Sequence, residues 1–349
     1  MINTKTIKIT AEILILIAEI DEFKGAWRAL SRMKPEQLHS LKRIATMESI
    51  GSSTRIEGSK LTDLQVQTLL NNLEIQQFSS RDEQEVAGYA AVMNTVFQHF
   101  AEIPLSENYI KQLHRDLLQY SEKDSWHRGE YKKHPNHVEA FDPEGQSLGI
   151  VFETTSPLKT PFEMEELITW VQETTKQKSL HPLLITAVFI VLFLAIHPFQ
   201  DGNGRLSRVL TTYLLLTFGY SYVPYSSLES VIENSKEAYY LSLRQTQGSL
   251  KSAETDWLPW ISFFLKAVLQ QKQNLEIKVE RERLLLSQLP DLSANILELV
   301  KSRGRATISD IVVLTRANRN TIKKHLEGLV RSGTLQKNGK GKGTWYISG

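Results

Sequence analysis

Between His197 and Arg208 the chain reads His-Pro-Phe-Gln-Asp-Gly-Asn-Gly-Arg-Leu-Ser-Arg, and most of those residues can do chemistry. Gly202 and Gly204 permit positive φ and let an anion approach the backbone. The stretch opens a helical pattern, Arg205 to Phe218, closed by Gly219. A helix N-terminus offers unpaired N–H groups and the positive end of its dipole, so phosphate is the natural guest. Arg205 and Arg208 share a helix face, where two guanidiniums can grip a di- or triphosphate. Asp201 carries the hard oxygen that Mg2+ prefers, with phosphates completing the shell. His197 stands where an apolar run meets the loop, and a neutral imidazole there can take a proton from an incoming hydroxyl. Phe199 reads as an anchor of the loop in the core. Each residue alone also suits a plain turn between helices; together they fit a nucleotide-dependent transferase. No GxxxxGK(S/T) loop occurs, which leaves P-loop chemistry without support.

Positioning these groups falls to helices, because alternating strand patterns are few. The longest apolar stretch, Leu183 to Ile196, is too short to span a bilayer comfortably and fits a helix buried on all sides. Another helix is expected from about Phe162 to Lys176. Residues 1–105 read as amphipathic helices, with Thr62-Asp-Leu-Gln65 as a capping box and Gly58 ending the helix before it. Between His134 and Pro161 lie four prolines and two glycines, and Asn136–Ala140 can pair with the β-branched run Gly149–Thr155 as a hairpin. Gln271 to Arg283 reads as a connecting helix, and Leu289-Pro290 as the start of a tail. The 349 residues contain no cysteine, which excludes disulfides and thiolate metal sites. The N-terminal apolar run lacks a small-residue cleavage site and is not read as a signal peptide. Net charge is +2, yet residues 293–349 carry eleven Lys/Arg against three Asp/Glu, which marks the tail as a module with its own partner.

The segment 197–208 resembles the Fic motif, HPF-x-D/E-GNGR-x-x-R, with every defined position filled, and the resemblance extends over about residues 40–265. It implies a mainly α fold, a Fic-type helical bundle with a β-hairpin flap, and transfer of AMP from ATP to a Ser, Thr or Tyr hydroxyl of a target protein. By that resemblance His197 is the general base, and Asp201 binds Mg2+ bridging the α- and β-phosphates. Gly202, Asn203 and Gly204, with the Asn203 side chain, form the anion hole, and Arg205 and Arg208 hold the outer phosphates. Segment 136–155 stands where the family has its flap, and His127-Arg-Gly-Glu-Tyr-Lys132 is similar to the family's G-x-Y/F-R/K approach to it. Asn234, Tyr239 and Tyr240 resemble a pattern near the family's adenosine pocket, although aromatics at helical spacing also serve as core.

Ser53-Thr-Arg-Ile-Glu57-Gly58 fits the family's inhibitory motif, S/T-x-x-x-E-G/N, on a helix at about 46–57, as in class II members. A Thr54-x-x-Glu57 capping box fits less well, because Gly58 follows at once and no helical pattern continues. A carboxylate in the last turn of a helix opposes the dipole and needs a cation; by the resemblance that cation is Arg208.

The tail resembles a winged helix-turn-helix, with helices at Ile296–Ser302, Thr307–Leu314 and Arg319–Val330 and a two-stranded wing within Leu335–Ile347. Arg319, Asn320, Thr321, Lys323 and Lys324 can face a DNA groove, with the wing lysines on phosphates; winged helices also dock proteins. The expected division is a helical region at 1–105, a catalytic core at 106–275, a linker helix at 276–292 and the winged helix at 293–349. The leading expectation is an autoinhibited, cytoplasmic adenylyltransferase using ATP and Mg2+ on an unknown protein target, with self-modification and a homodimer compatible and no membrane partner. The alternatives are a nucleotide-sensing DNA-binding regulator, another nucleotide donor, or removal of AMP.

Overall fold

The protein, described by a computed structural model over residues 2–29, 35–71, 78–141, 147–252, 254–287 and 289–349, forms helices wherever apolar residues recur at three- and four-residue spacing. It divides into two compact units, Met1–Arg28 with Thr46–Lys272 and Ala29–Ala45 with Gln273–Gly349. In the larger unit α1 (Ala11–Ala29) buries Ile13, Leu16, Ile20 and Phe23 along one stripe. Helix α2 (Pro35–Ile56) begins in the smaller unit, ends in the larger one, and is closed by Gly58 at φ 107°. Helix α3 (Asp63–Asn71) opens with the expected reciprocal cap: Thr62 N–H donates to Gln65 Oε1 at 2.9 Å, and Gln65 N–H to Thr62 Oγ1 at 3.4 Å. Ser80 and Ser106 cap α4 (Arg81–His99) and α5 (Glu107–Leu117).

The flap is present as backbone: β1 (Val138–Phe141) pairs antiparallel with β2 (Ser147–Phe152), and Ala140 lies opposite Gly149. Then come α6 (Thr160–Gln177) and α7 (Pro182–Ile196), the latter buried on nearly every face as its composition requires. Helix α8 (Asn203–Thr217) packs beside it, followed by α9 (Leu228–Asn234), α10 (Lys236–Ser249) and α11 (Leu258–Ser287). Trp260 Nε1 donates to the Ala187 carbonyl at 2.7 Å, tying α11 to α7. No helix among the described residues is long and apolar enough to cross a membrane.

The smaller unit holds α12 (Asp291–Arg303), β3 (Ala306–Thr307), α13 (Ile308–Thr315), α14 (Arg319–Arg331), β4 (Leu335–Asn338) and β5 (Trp345–Ser348). Its antiparallel sheet runs β3-β5-β4 over a core of Ile296, Leu297, Val300, Ile311, Ile322, Leu326 and Tyr346. Gln37 on the first turn of α2 donates to Glu298 at 2.9 Å inside this unit. One division, at Lys272, lies close to the expected 275; residues 29–45 group with the tail, and the expected linker helix at 276–292 is largely the second half of α11. The physical reason is continuity, since α2 and α11 each cross between units without a break in helical pattern.

Candidate active site

The site begins where α7 stops. His197 caps that helix in the left-handed conformation, φ 53° and ψ 59°, and its N–H closes on the Phe193 carbonyl at 2.8 Å. For a residue with a Cβ this backbone costs about 1–2 kcal/mol, and it turns the chain abruptly into the loop. His197 Nδ1 lies 3.3 Å from the Leu194 carbonyl, which can only accept. Nδ1 therefore carries the proton and Nε2 keeps a free lone pair. Burial lowers this imidazole to about 4, with the Lys132 charge pushing the same way, so it is neutral at pH 7. A neutral imidazole with a bare Nε2 is a proton acceptor.

The loop is fixed by its own residues. Phe199 is fully buried and stacks on His114 at 3.8 Å between ring centroids. Asn203 closes a ring with it: Phe199 N–H donates to Asn203 Oδ1 at 2.9 Å and Asn203 Nδ2 returns to the Phe199 carbonyl at 2.7 Å. The Asn203 amide is thus engaged inside the protein, and the expected anion hole reduces to backbone N–H groups. Gly202 sits at the α8 N-cap with φ 79°, a conformation that favours glycine. Asp201 Oδ1 accepts from Gly202 N–H at 2.6 Å, and its Oδ2 lies 2.7 Å from Arg81 Nη2 and 3.5 Å from Arg205 Nη2. Burial alone would raise the Asp201 carboxyl; Arg205, the Gly202 N–H and Arg81 together hold it below the ordinary range. Among the described residues no three His, Asp or Glu side chains cluster as a metal site. The donor set therefore fits a divalent cation held by Asp201 with phosphate oxygens, not one caged by protein.

The two arginines have different partners. Arg205 is buried, with Nη1 3.1 Å from Glu85. Arg208 is buried too, and its Nη2 donates to Glu57 Oε1 at 2.8 Å and to the Ser53 carbonyl at 3.0 Å, while Nε donates to Ser53 Oγ at 2.8 Å. Burial opposes the Arg208 charge, but Glu57, Tyr239 and Tyr89 together more than offset it and raise the guanidinium further. Glu57 also lies on the backbone of Gly204: a Cβ there would stand 2.2 Å from Glu57 Oε1. One carboxylate thus covers the first turn of α8 and engages the arginine behind it, joining the two sequence motifs in space.

Several residues around the site had no signal in the sequence. Arg81 meets Asp201 across 120 positions. His114 accepts from Gly129 N–H at Nδ1, 2.9 Å away, so its Nε2 carries the proton that faces the Asp201 carbonyl at 3.0 Å. Arg55 grips Glu233 with Nε at 2.6 Å and Nη2 at 3.0 Å, and Lys236 Nζ caps α2 on the Ile56 carbonyl at 2.7 Å. Of the adenosine candidates, Tyr239 is buried among Tyr240, Trp260 and Phe263, Tyr240 is half-buried, and Asn234 is exposed at the end of α9. None of the three lines the cavity of about 490 Å³ bounded by Phe152, Glu163, Ala195, Ile196 and Gln247. In the smaller unit Arg319, Asn320, Thr321, Lys323 and Lys324 are exposed along α14.

Residues 104–215 match the Fic/DOC family, and residues 284–344 match a family described as a bacterial protein of unknown function, DUF977. A protein adenylyltransferase Fic of Drosophila virilis is 27% identical over 305 residues, covering 82% of this chain and 57% of its own. Its namesake in Drosophila mojavensis is 28% identical over 219 residues, covering 60% and 40%. The chain spans about half the length of the curated relatives it matches. Among solved structures, a Fic family protein from Desulfovibrio desulfuricans has the same fold, with TM-score 0.66 and 22% identity over 99% of this chain and 98% of that one. A Fic domain containing signaling protein from Bacteroides thetaiotaomicron gives TM-score 0.59 and 25% identity over 76% and 95%. The motif loop lies within residues 104–215, the part of the chain that matches the Fic/DOC family, on a mainly helical fold shared with these structures.

Proposed function

We propose that this protein is an adenylyltransferase, moving AMP from ATP to a Ser, Thr or Tyr hydroxyl of a protein, and that Glu57 holds it shut. The observation that carries the reading is the free Nε2 of His197, beside a helix N-terminus whose anion position is filled by a carboxylate. In the open state the backbone N–H groups of Asn203 and Gly204 receive phosphate oxygens, and Arg205 and Arg208 grip the outer phosphates. Asp201 would hold a divalent cation, which would supply charge neutralisation at the phosphates. The target hydroxyl gives its proton to His197 Nε2. Its oxygen bonds to the α-phosphorus as the bond to the β-phosphate oxygen breaks, and pyrophosphate leaves. Catalysis is then mostly positioning and charge neutralisation. An extended target segment alongside β1–β2 presents the hydroxyl. With Glu57 on Arg208, ATP lacks its γ-phosphate contact and binds unproductively. ATP as donor supports a cytoplasmic location.

The test uses ATP labelled at the α-phosphorus with Mg2+, reading self-labelling and lysate labelling on a gel. Glu57→Gly labels strongly, wild type weakly, and Glu57→Gly/His197→Ala not at all. Labelling unchanged by Glu57→Gly in a folded protein sinks the brake; labelling that survives His197→Ala sinks the base. Binding of ATP without labelling in any variant moves the reading to another donor or to removal of AMP.

A second reading concerns the smaller unit alone. Its exposed Arg319, Lys323 and Lys324 on α14 and Lys337 and Lys340 on the hairpin support duplex DNA binding through a winged helix. Salt-dependent duplex binding that weakens in Lys323→Glu/Lys324→Glu supports it, and salt-independent or unchanged binding removes it.

A further inference from the structure

The six residues approaching the flap, ending at Lys132, are not used by the chemistry above, yet their last side chain is nine-tenths or more buried beside the base. Lys132 is 3% exposed. Burial lowers its ammonium to about 8, so at neutral pH it keeps its charge and three N–H donors. Each donor has an acceptor: Asn136 Oδ1 at 2.7 Å, Thr154 Oγ1 at 3.0 Å and the Ile196 carbonyl at 2.9 Å. Asn136 precedes β1, Thr154 follows β2, and Ile196 immediately precedes His197. A single ammonium therefore ties both feet of the flap to the residue before the base.

The connection continues on the loop itself. Lys132 N–H donates to the Pro198 carbonyl at 2.9 Å. Asn136 Nδ2 donates to the Phe199 carbonyl at 2.6 Å and reaches the His197 carbonyl at 3.4 Å. The carbonyls of Ile196, His197, Pro198 and Phe199 thus each face a donor on Lys132 or Asn136. The Phe199 carbonyl also takes the Asn203 amide at 2.7 Å, so the flap foot and the motif meet on one oxygen. Thr154 Oγ1 closes the knot by donating to the Asn136 backbone carbonyl.

We propose that Lys132, Asn136 and Thr154 are positioning residues that lock the flap and the catalytic loop into one register, so that a target strand aligned by the flap is automatically aligned with His197. None touches the reacting atoms; they act through the flap and the loop. The inference rests on the transferase reading for its kinetic consequence, but the mechanical coupling is measurable without it. Separate anchoring would let the flap shift while the base stayed still, and hydroxyl and imidazole would lose their alignment, to which transfer rates are sensitive.

The experiment uses full-length protein in the Glu57→Gly background. Thr154→Val keeps the side-chain shape and removes the hydroxyl; Thr154→Ser keeps the hydroxyl. Thr154→Val is expected to lower kcat for self-labelling by about tenfold, with the dissociation constant of Mg·ATP, measured by calorimetry, unchanged within about twofold. Thr154→Ser is expected to retain parental kcat within about twofold. Amide exchange provides the readout that needs no transfer: in Thr154→Val the amides of 147–152 and of Phe199 should speed up together. Faster flap exchange with an unchanged Phe199 amide overturns the coupling, as does unchanged exchange in both segments. Parental labelling by Thr154→Val overturns the kinetic consequence. If the Glu57→Gly parent fails to label, the transferase reading fails, and the exchange result still decides whether flap and loop move as one.

Discussion

The motif loop and the end of α2 are anchored by opposite means. Residues 196–203 are held by hydrogen bonds from buried Lys132 and Asn203 and half-buried Asn136, on a fully buried Phe199, with only Asp201 in an exposed ion pair to Arg81. Losing one such partner strands a polar group and costs about 1–3 kcal/mol. The end of α2 is held by ion pairs with water beside them: the side chains of Arg55, Glu233 and Glu57 are 23%, 27% and 31% exposed. The Arg55–Glu233 pair is of a kind worth about 0.2–1 kcal/mol, whereas Glu57 pairs with a buried Arg208 whose charge is stranded when Glu57 is lost. On the proposed reading, the machinery that must not move is buried and neutral in most contacts, while the part that must leave is held by charges that water or another ion can replace.

The comparison is broken most sharply at the base. In the Glu57→Gly background, His197→Ala should lower labelling by about hundredfold or more, the scale of a lost general base. A smaller loss would mean that the proton leaves by another route and that the rigid loop serves some other end.

Next comes the brake itself. Glu57→Gly should raise labelling about tenfold or more, since each 1.4 kcal/mol of released coupling is a factor of ten. The same change strands the buried Arg208 charge, so the variant should melt below wild type. A variant melting lower with no gain in labelling would make the pair structural. The outer contacts should do less. Arg55→Met, which frees Glu233 and Asp63, should raise labelling by up to about fivefold, matching a half-exposed pair. A gain as large as that of Glu57→Gly would place the whole holding force in Arg55.

The two regions also differ in how they could be read from sequence. The loop is contiguous, so its glycines, acid, arginines and histidine announce themselves within 197–208, and the proposed brake is carried by the short spacing of Ser53 and Glu57. The apolar run at 183–196 and the β-branched run at 149–155 specified a buried helix and a hairpin strand in the places where α7 and β2 stand. What stayed hidden is held together across the chain. Arg55 and Glu233 are 178 positions apart, and no periodicity links them. No motif marks His114 in the sequence, and its work on Asp201 and Phe199 exists only after folding. Asn203 was legible as an amide in the right place, but not that its amide would turn inward to Phe199.

The smallest effect on activity is expected from mild acid, and it separates the neutral loop from the charged brake. Burial lowers His197 and His114 to about 4 from an ordinary value of 6.5. The base therefore stays unprotonated as pH falls from 7 to about 5, and kcat/KM of Glu57→Gly should stay nearly flat there, dropping only as pH passes through about 4. Stability behaves differently over the same span. Between 6.5 and about 4 the unfolded chain takes up a proton at each histidine and the folded chain does not, so stability falls as pH falls and is fully recovered above 6.5. Replacing His114 with Gln removes one of those two protons. The melting temperature of that variant should decline less steeply than its parent's between pH 6.5 and 4. An equal decline would mean that His114 takes up its proton while folded, and that its imidazole does not sit neutral beneath the Asp201 carbonyl.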